Sequence, residues 1–184
     1  LNDIKEQQIY GLRLDVDDVN SILERIAGLN HSINQEVFAS SIRSDANNYG
    51  PNELYDERNL LLDKLAKYVN PDGSVEVRIN GRVAVDGTEY SLLSLVQNAD
   101  DSVSLNWLQT GDPVIMNAGS LKASVSMING RGARAAGNET YDKGIRYFKD
   151  LIDSFASNLM TEFNRVLPVE AASAGAKQTY KTLF

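Results

Sequence analysis

The chain has 184 residues, 42% of them hydrophobic, and a net charge of −7, enough for one domain with a real core but not for two large independent ones. The acid excess, with no concentrated basic face, excludes nucleic acid and an anionic membrane surface as partners. Cysteine is absent, which removes disulfides, thiolate metal sites and thiol catalysis, and no apolar run nears the roughly 18 residues that span a bilayer.

From Asn2 to Arg43 apolar residues recur at steps of three and four through Val16, Val19, Leu23, Ile26, Ile33 and Val37, with Ile22 and Leu29 widening the stripe. This spacing predicts one helix with one buried face, about 60 Å long at 1.5 Å per residue. Gly11 and Gly28 each cost about 1 kcal/mol relative to Ala inside a helix, so partner elements must hold it together. Ser44–Gly50 is a turn-rich link. Pro51 then opens a second helix with Leu54, Leu61, Leu65 and Tyr68 facing inward and Leu62 and Val69 beside them. Asn70-Pro71-Asp72-Gly73 stops it.

Val75, Val77 and Ile79 alternate with polar residues, predicting a strand over 74–80 joined through an Asn80-Gly81 turn to a second at 82–85. Further strands are expected at 90–96, 102–108 and 113–116. Together they form a small antiparallel β unit inserted between helices. Ser120 is placed as the cap of a short helix that runs to Ile128 and stops at Asn129-Gly130. After a loop over 131–143, Ile145, Phe148, Ile152, Phe155, Leu159, Phe163 and Val166 again step by three and four, predicting a long helix over 144–167, antiparallel to the first in one bundle; Pro168 ends it. The Ala-rich stretch 169–184 reads as a linker or the truncated start of a further domain. The chain begins at Leu1 inside a helical pattern and is expected to be a piece of a longer protein.

Candidate chemistry is sparse. Gly130-Arg-Gly132-Ala-Arg-Ala135 has the letters of a dinucleotide fingerprint but follows a helix rather than a strand, so it reads as a flexible loop. His31 is the one histidine and sits on the long helix, where a solvated side chain is expected. Asp15, Asp17 and Asp18 lack the loop glycine and terminal glutamate of a calcium loop. Asp56, Glu57 and Arg58 are adjacent on a helix and point to different faces, which suits a solvated face paired locally through Arg58 rather than acid/base work. Two sequons, Asn30-His-Ser32 and Asn138-Glu-Thr140, mark no function without a eukaryotic secretory route. Asn30 occupies a step of the apolar stripe, where a buried amide would fix register and a rim amide would reach water; the sequence leaves both open. No catalytic, cofactor-binding or metal-ligating residue is assigned, and no cofactor.

The run Val19-Asn-Ser-Ile-Leu-Glu-Arg-Ile-Ala-Gly-Leu-Asn30, then Pro51-Asn-Glu-Leu-Tyr-Asp-Glu-Arg-Asn-Leu-Leu-Leu-Asp-Lys-Leu65, Asp72-Gly-Ser-Val and Asn80-Gly, resembles the flagellar hook-associated protein 1 family. Gly119-Ser-Leu-Lys122 and the late helix ending Phe163-Asn164 extend the resemblance to roughly Asp15 through Asn164. Asn59 departs from the family, where a second Asp is common, and Val166-Leu-Pro168 replaces its usual polar stretch. The resemblance implies an extracellular structural subunit of the bacterial flagellum, exported by the type III route with an export chaperone. It would sit in a ring of its own copies between hook protein and the next junction protein, without catalysis. It also implies that both terminal coiled-coil segments are missing, leaving a monomeric body. The expected fold is α+β, an elongated bundle of long antiparallel helices: bundle helices at 1–70, the β unit at 71–118, returning helices at 119–168 and the linker at 169–184. Rivals in the same class are the second junction protein, flagellin or a cap subunit. The rival from another class is an extracellular glycan-binding or hydrolytic module on a helical stalk, with Trp107 and acid pairs as its candidates.

Overall fold

A computed structural model describes residues 1–42, 51–137 and 141–166. Helix α1, Asn2–Ile42, is the spine. Its Ile9, Leu12, Val16, Val19, Leu23, Ile26 and Ile33 are all buried, the i, i+3, i+4, i+7 face that the periodicity predicts. Helix α2, Asn52–Tyr68, runs antiparallel to it, as the pairs Asn30 with Arg58 and Asp18 with Tyr68 require. Leu61 and Leu65 seal the seam, Val69 is buried just past the helix end, and Leu54, Leu62 and Tyr68 pack against that core. Pro51 stands one residue earlier than expected, before the helix, with its carbonyl accepting from the Leu54 and Tyr55 amides. Val37, the expected end of the α1 stripe, is exposed. The antiparallel register explains this: α2 begins at Asn52, short of the turn that would cover Val37.

The β unit is antiparallel but divides into two sheets. Strands β1 (Pro71–Asp72), β2 (Glu76–Ile79), β3 (Arg82–Asp86) and β4 (Glu89–Tyr90) pair in that order, while β5 (Leu93–Gln97) and β6 (Val103–Trp107) form a separate pair. Asn80 and Gly81 both have positive φ, as a two-residue hairpin turn between right-twisted strands demands. Val77, Ile79, Val85, Leu93, Leu105 and Trp107 point into one core with α1. Two strand expectations need correction. The single strand over 90–96 breaks at Ser91–Leu92, because β4 closes the first sheet and β5 opens the second. The strand over 113–116 is only a bridge between Pro113 and Asn106, since proline has no N–H to extend a ladder.

Helix α3, Ser120–Asn129, starts one residue after its cap. Gly119, not Ser120, holds the cap position at φ 96° and no side chain caps the helix. A Cβ on Gly119 would collide with the Tyr68 carbonyl, so this glycine lets the end of α2 touch the start of α3. Helix α4, Ile145–Val166, roots on α3. The Tyr147 amide donates to the Gly130 carbonyl at 2.9 Å, and Ile145 is buried. Around this root Arg131 meets Asp150 at 2.8 Å, Arg146 meets Asp100 at 3.2 Å, and Asp101 lies between Lys5 and Lys149. Beyond it the expected packing of α4 along α1 is absent: every residue from Phe155 to Arg165 is exposed. The polar contacts that fasten its first turns orient α4, and no described element lies over its apolar stripe.

Candidate functional site

The residues singled out for chemistry do not converge. His31 is exposed and bonds Gln35 one turn on. Asp15, Asp17 and Asp18 lie along α1; burial and then the Asp18 charge hold the Asp15 carboxyl above its ordinary range, while Asp18 accepts from the Tyr68 hydroxyl at 3.0 Å and pushes that phenol upward. Glu57 pairs with Arg25 of α1 and Asp56 is exposed. Trp107 is 2% exposed, with the Arg82 guanidinium 5.1 Å from its ring centre; a ring enclosed in this way offers no face to a sugar. The 130–135 stretch is an ordered turn with a short 3-10 segment at Gly132–Arg134, not a loose loop. A Cβ on Gly130 would strike the Asp142 carbonyl and the Gly144 nitrogen, so its role is close packing of α3 against α4. Asn138 lies outside the described residues, and Asn30 is too deeply buried to carry a glycan. Among the described residues no group of three His, Cys, Asp or Glu could hold a metal.

What the fold does assemble is a set of asparagine latches between helices and β unit. Asn20 of α1 accepts from the Leu93 amide at 2.7 Å and donates to the Leu93 carbonyl at 2.9 Å. Asn129 of α3 does the same at Val103, with distances of 2.8 and 2.6 Å. Each thus grips the first residue of its strand through both backbone groups, which point away from the β5–β6 pairing. Asn30, buried in the seam, donates to the carbonyls of Val75 at 3.1 Å and Gly87 at 2.8 Å, and accepts from Arg58 at 2.9 Å. One amide thereby ties α1, α2 and the first sheet together.

Arg58 corrects the expectation of a solvated Asp56-Glu57-Arg58 face. It is 7% exposed, because it lies three and seven residues before the inward Leu61 and Leu65, and its guanidinium stands 5.3 Å from the Tyr55 ring centre. Its Nε has no hydrogen-bond partner among the described residues, which makes the Asn30 oxygen all the more important to the buried charge. Asn30 was legible as a break in an apolar stripe. Asn20 and Asn129 were not, one reading as a polar neighbour of Val19 and the other as a helix stop.

This arrangement positions elements: the amides of Asn20, Asn30 and Asn129 are each engaged with backbone or a neighbouring side chain. None of the curated proteins matches the chain. The family model described as the flagellar hook-associated protein FlgK helical domain matches residues 1–178, and on that match, over a body of long helices enclosing a small β unit, the chain belongs to the FlgK helical-domain family, a hook-associated structural part of the bacterial flagellum.

Proposed function

We propose that the protein is an adaptor at the hook–filament junction, working by shape and rigidity and not by catalysis. The observation that carries this reading is the triple latch. Asn20 and Asn30 are ten residues apart on α1, about 15 Å along the axis, and grip the two different sheets. Twisting either sheet against the spine breaks two or more hydrogen bonds at once. A subunit that passes torque from hook to filament needs that property. Its partners would be copies of itself in a ring, hook protein on one side and the next junction protein on the other, with an export chaperone before secretion to the cell exterior. The rival reading as a glycan-binding or hydrolytic module loses its platform, because Trp107 is enclosed in the core.

Deleting the gene should leave hooks intact while filament protein appears in the medium, and the gene supplied in trans should restore filaments. Normal filaments on the deletion strain would overturn the junction assignment. Turnover of a glycan or peptide by the purified chain would overturn the non-catalytic one.

A further inference from the structure

The same four residues, Ile-Asn-Gly-Arg, occur at 79–82 and at 128–131. Where asparagine stands before glycine, the glycine nitrogen can attack the asparagine side-chain carbonyl carbon, because no Cβ hinders the approach. The fold treats the two copies oppositely. At the end of α3 the groups that the reaction needs are occupied: the Asn129 oxygen accepts from the Val103 amide at 2.8 Å, its nitrogen donates to the Val103 carbonyl at 2.6 Å, and the Gly130 N–H donates to the Ser126 carbonyl at 2.8 Å. Gly130 is also buried. Attack there would have to break all three bonds.

At the β2–β3 turn the same groups are open. Asn80 and Gly81 are both exposed at the tip of the hairpin, with φ 49° and 82°. Among the described residues no hydrogen bond engages the Gly81 N–H or the Asn80 Nδ2; only Asn80 Oδ1 is held, by the Asn117 amide. We infer that Asn80 is a site of spontaneous deamidation, for which water is the only co-reactant. The Gly81 nitrogen forms a bond to Asn80 Cγ, the Cγ–Nδ2 bond breaks, and the amide leaves as ammonia with the proton that Gly81 gives up. Water then opens the succinimide at one carbonyl or the other, giving aspartate or isoaspartate and one further negative charge. Isoaspartate adds a carbon to the backbone of a two-residue turn, and that turn fixes the register of β2 on β3. The isoaspartate form therefore loses the Asn80–Asn117 contact, which ties this hairpin to the chain leading into α3. The inference goes beyond the junction reading and does not depend on it: the change accumulates with the age of the molecule and needs no enzyme.

The duplicated tetrapeptide supplies its own control, because the residues flanking each asparagine-glycine pair are the same. In the folded 184-residue chain, held in mildly alkaline buffer and followed by peptide mapping with mass spectrometry, Asn80 should convert more than about 30-fold faster than Asn129, since the reaction breaks one hydrogen bond at the first and three at the second. In concentrated urea the two rates should agree within about threefold, both copies then being free of the fold. Asn80→Gln should abolish the fast product, because glutamine would have to close a larger ring. Equal rates at the two sites in the folded chain would overturn the proposal. So would an Asn80 that stays intact in the folded chain while urea releases the reaction at both sites, since the hairpin would then be protecting it, and so would a fast product that persists in Asn80→Gln.

Discussion

Replacing Asn30 by alanine removes one small side chain from three elements at once. The amide is 2% exposed and makes three hydrogen bonds, two to backbone carbonyls of the β unit and one from the Arg58 guanidinium. Losing the two carbonyl bonds costs about 1 kcal/mol each, and stranding a buried charged donor a further 1–3 kcal/mol. The expected total is about 4 kcal/mol, or a fall in melting temperature on the order of 10 °C at this chain length. Because much of that cost is the orphaned guanidinium, Arg58→Met made together with Asn30→Leu should be less damaging than the sum of its parts. Replacing both partners with apolar groups of similar size leaves no unpaired charge. Urea titrations of wild type, Asn30→Leu, Arg58→Met and their double, followed at 222 nm at one fixed protein concentration beside Asn30→Ala, give the coupling energy directly, and it should exceed about 1.5 kcal/mol. Additive single effects, or an Asn30→Ala loss below about 1 kcal/mol, would refute the shared buried network.

Leu65→Asp places an unpaired charge in the α1–α2 seam and should destabilise by several kcal/mol, whereas Lys67→Asp on the exposed side should lie within about 0.5 kcal/mol of wild type; equal melting temperatures would mean the wrong face has been placed inward. Gly119→Ala forces a Cβ at positive φ against the Tyr68 carbonyl and should cost about 2–4 kcal/mol in the same titration; a neutral outcome would deny the close contact of α2 with α3. Hydrogen bonds from Ser102 hold Asp100 below its ordinary 3.8, Lys5 and Lys149 do so for Asp101, and Arg82 for Asp112. Their contribution is present above pH 3.8 and is lost as pH falls through the lower folded values. Asp15, raised by burial, acts in the opposite sense above 3.8. Loss of the Asp100 and Asp101 contacts at the α4 root should therefore centre below pH 3.8, and carboxyl resonances of Asp100 and Asp101 with titration midpoints above 3.8 would contradict it.

The helices were legible because periodicity reports a physical requirement of each segment alone: one face of α1 or α2 must leave water, whatever covers it. The Asn80-Gly81 turn was legible for a similar reason, since positive φ at two successive positions admits few residue types. What periodicity cannot carry is the identity of the partner. The α4 stripe had the same steps as that of α1, yet only the fold shows that one is covered and the other is not. Nor could the break between β4 and β5 be read, because Tyr90 and Leu93 are both good strand residues and the choice of sheet depends on Asn20, distant in sequence. The latches at Leu93 and Val103 escaped for the same reason: their partners are 73 and 26 residues away.

Asparagine suits these latches better than its neighbours in size. A planar amide carries one donor side and one acceptor side, which match the N–H and C=O of one strand residue that face away from its ladder. Aspartate would lack the donor, and leucine would leave both backbone groups unpaired at a half-buried edge. Short sheets of two and four strands have proportionally much edge to protect, and here helices α1 and α3 protect it with side chains rather than with more strands. The same bonds that satisfy the edges also lock the sheets to the spine. Stability and stiffness thus come from one set of contacts. The latches are drawn inward, which leaves the outer helix faces and not the amides to meet whatever the protein joins.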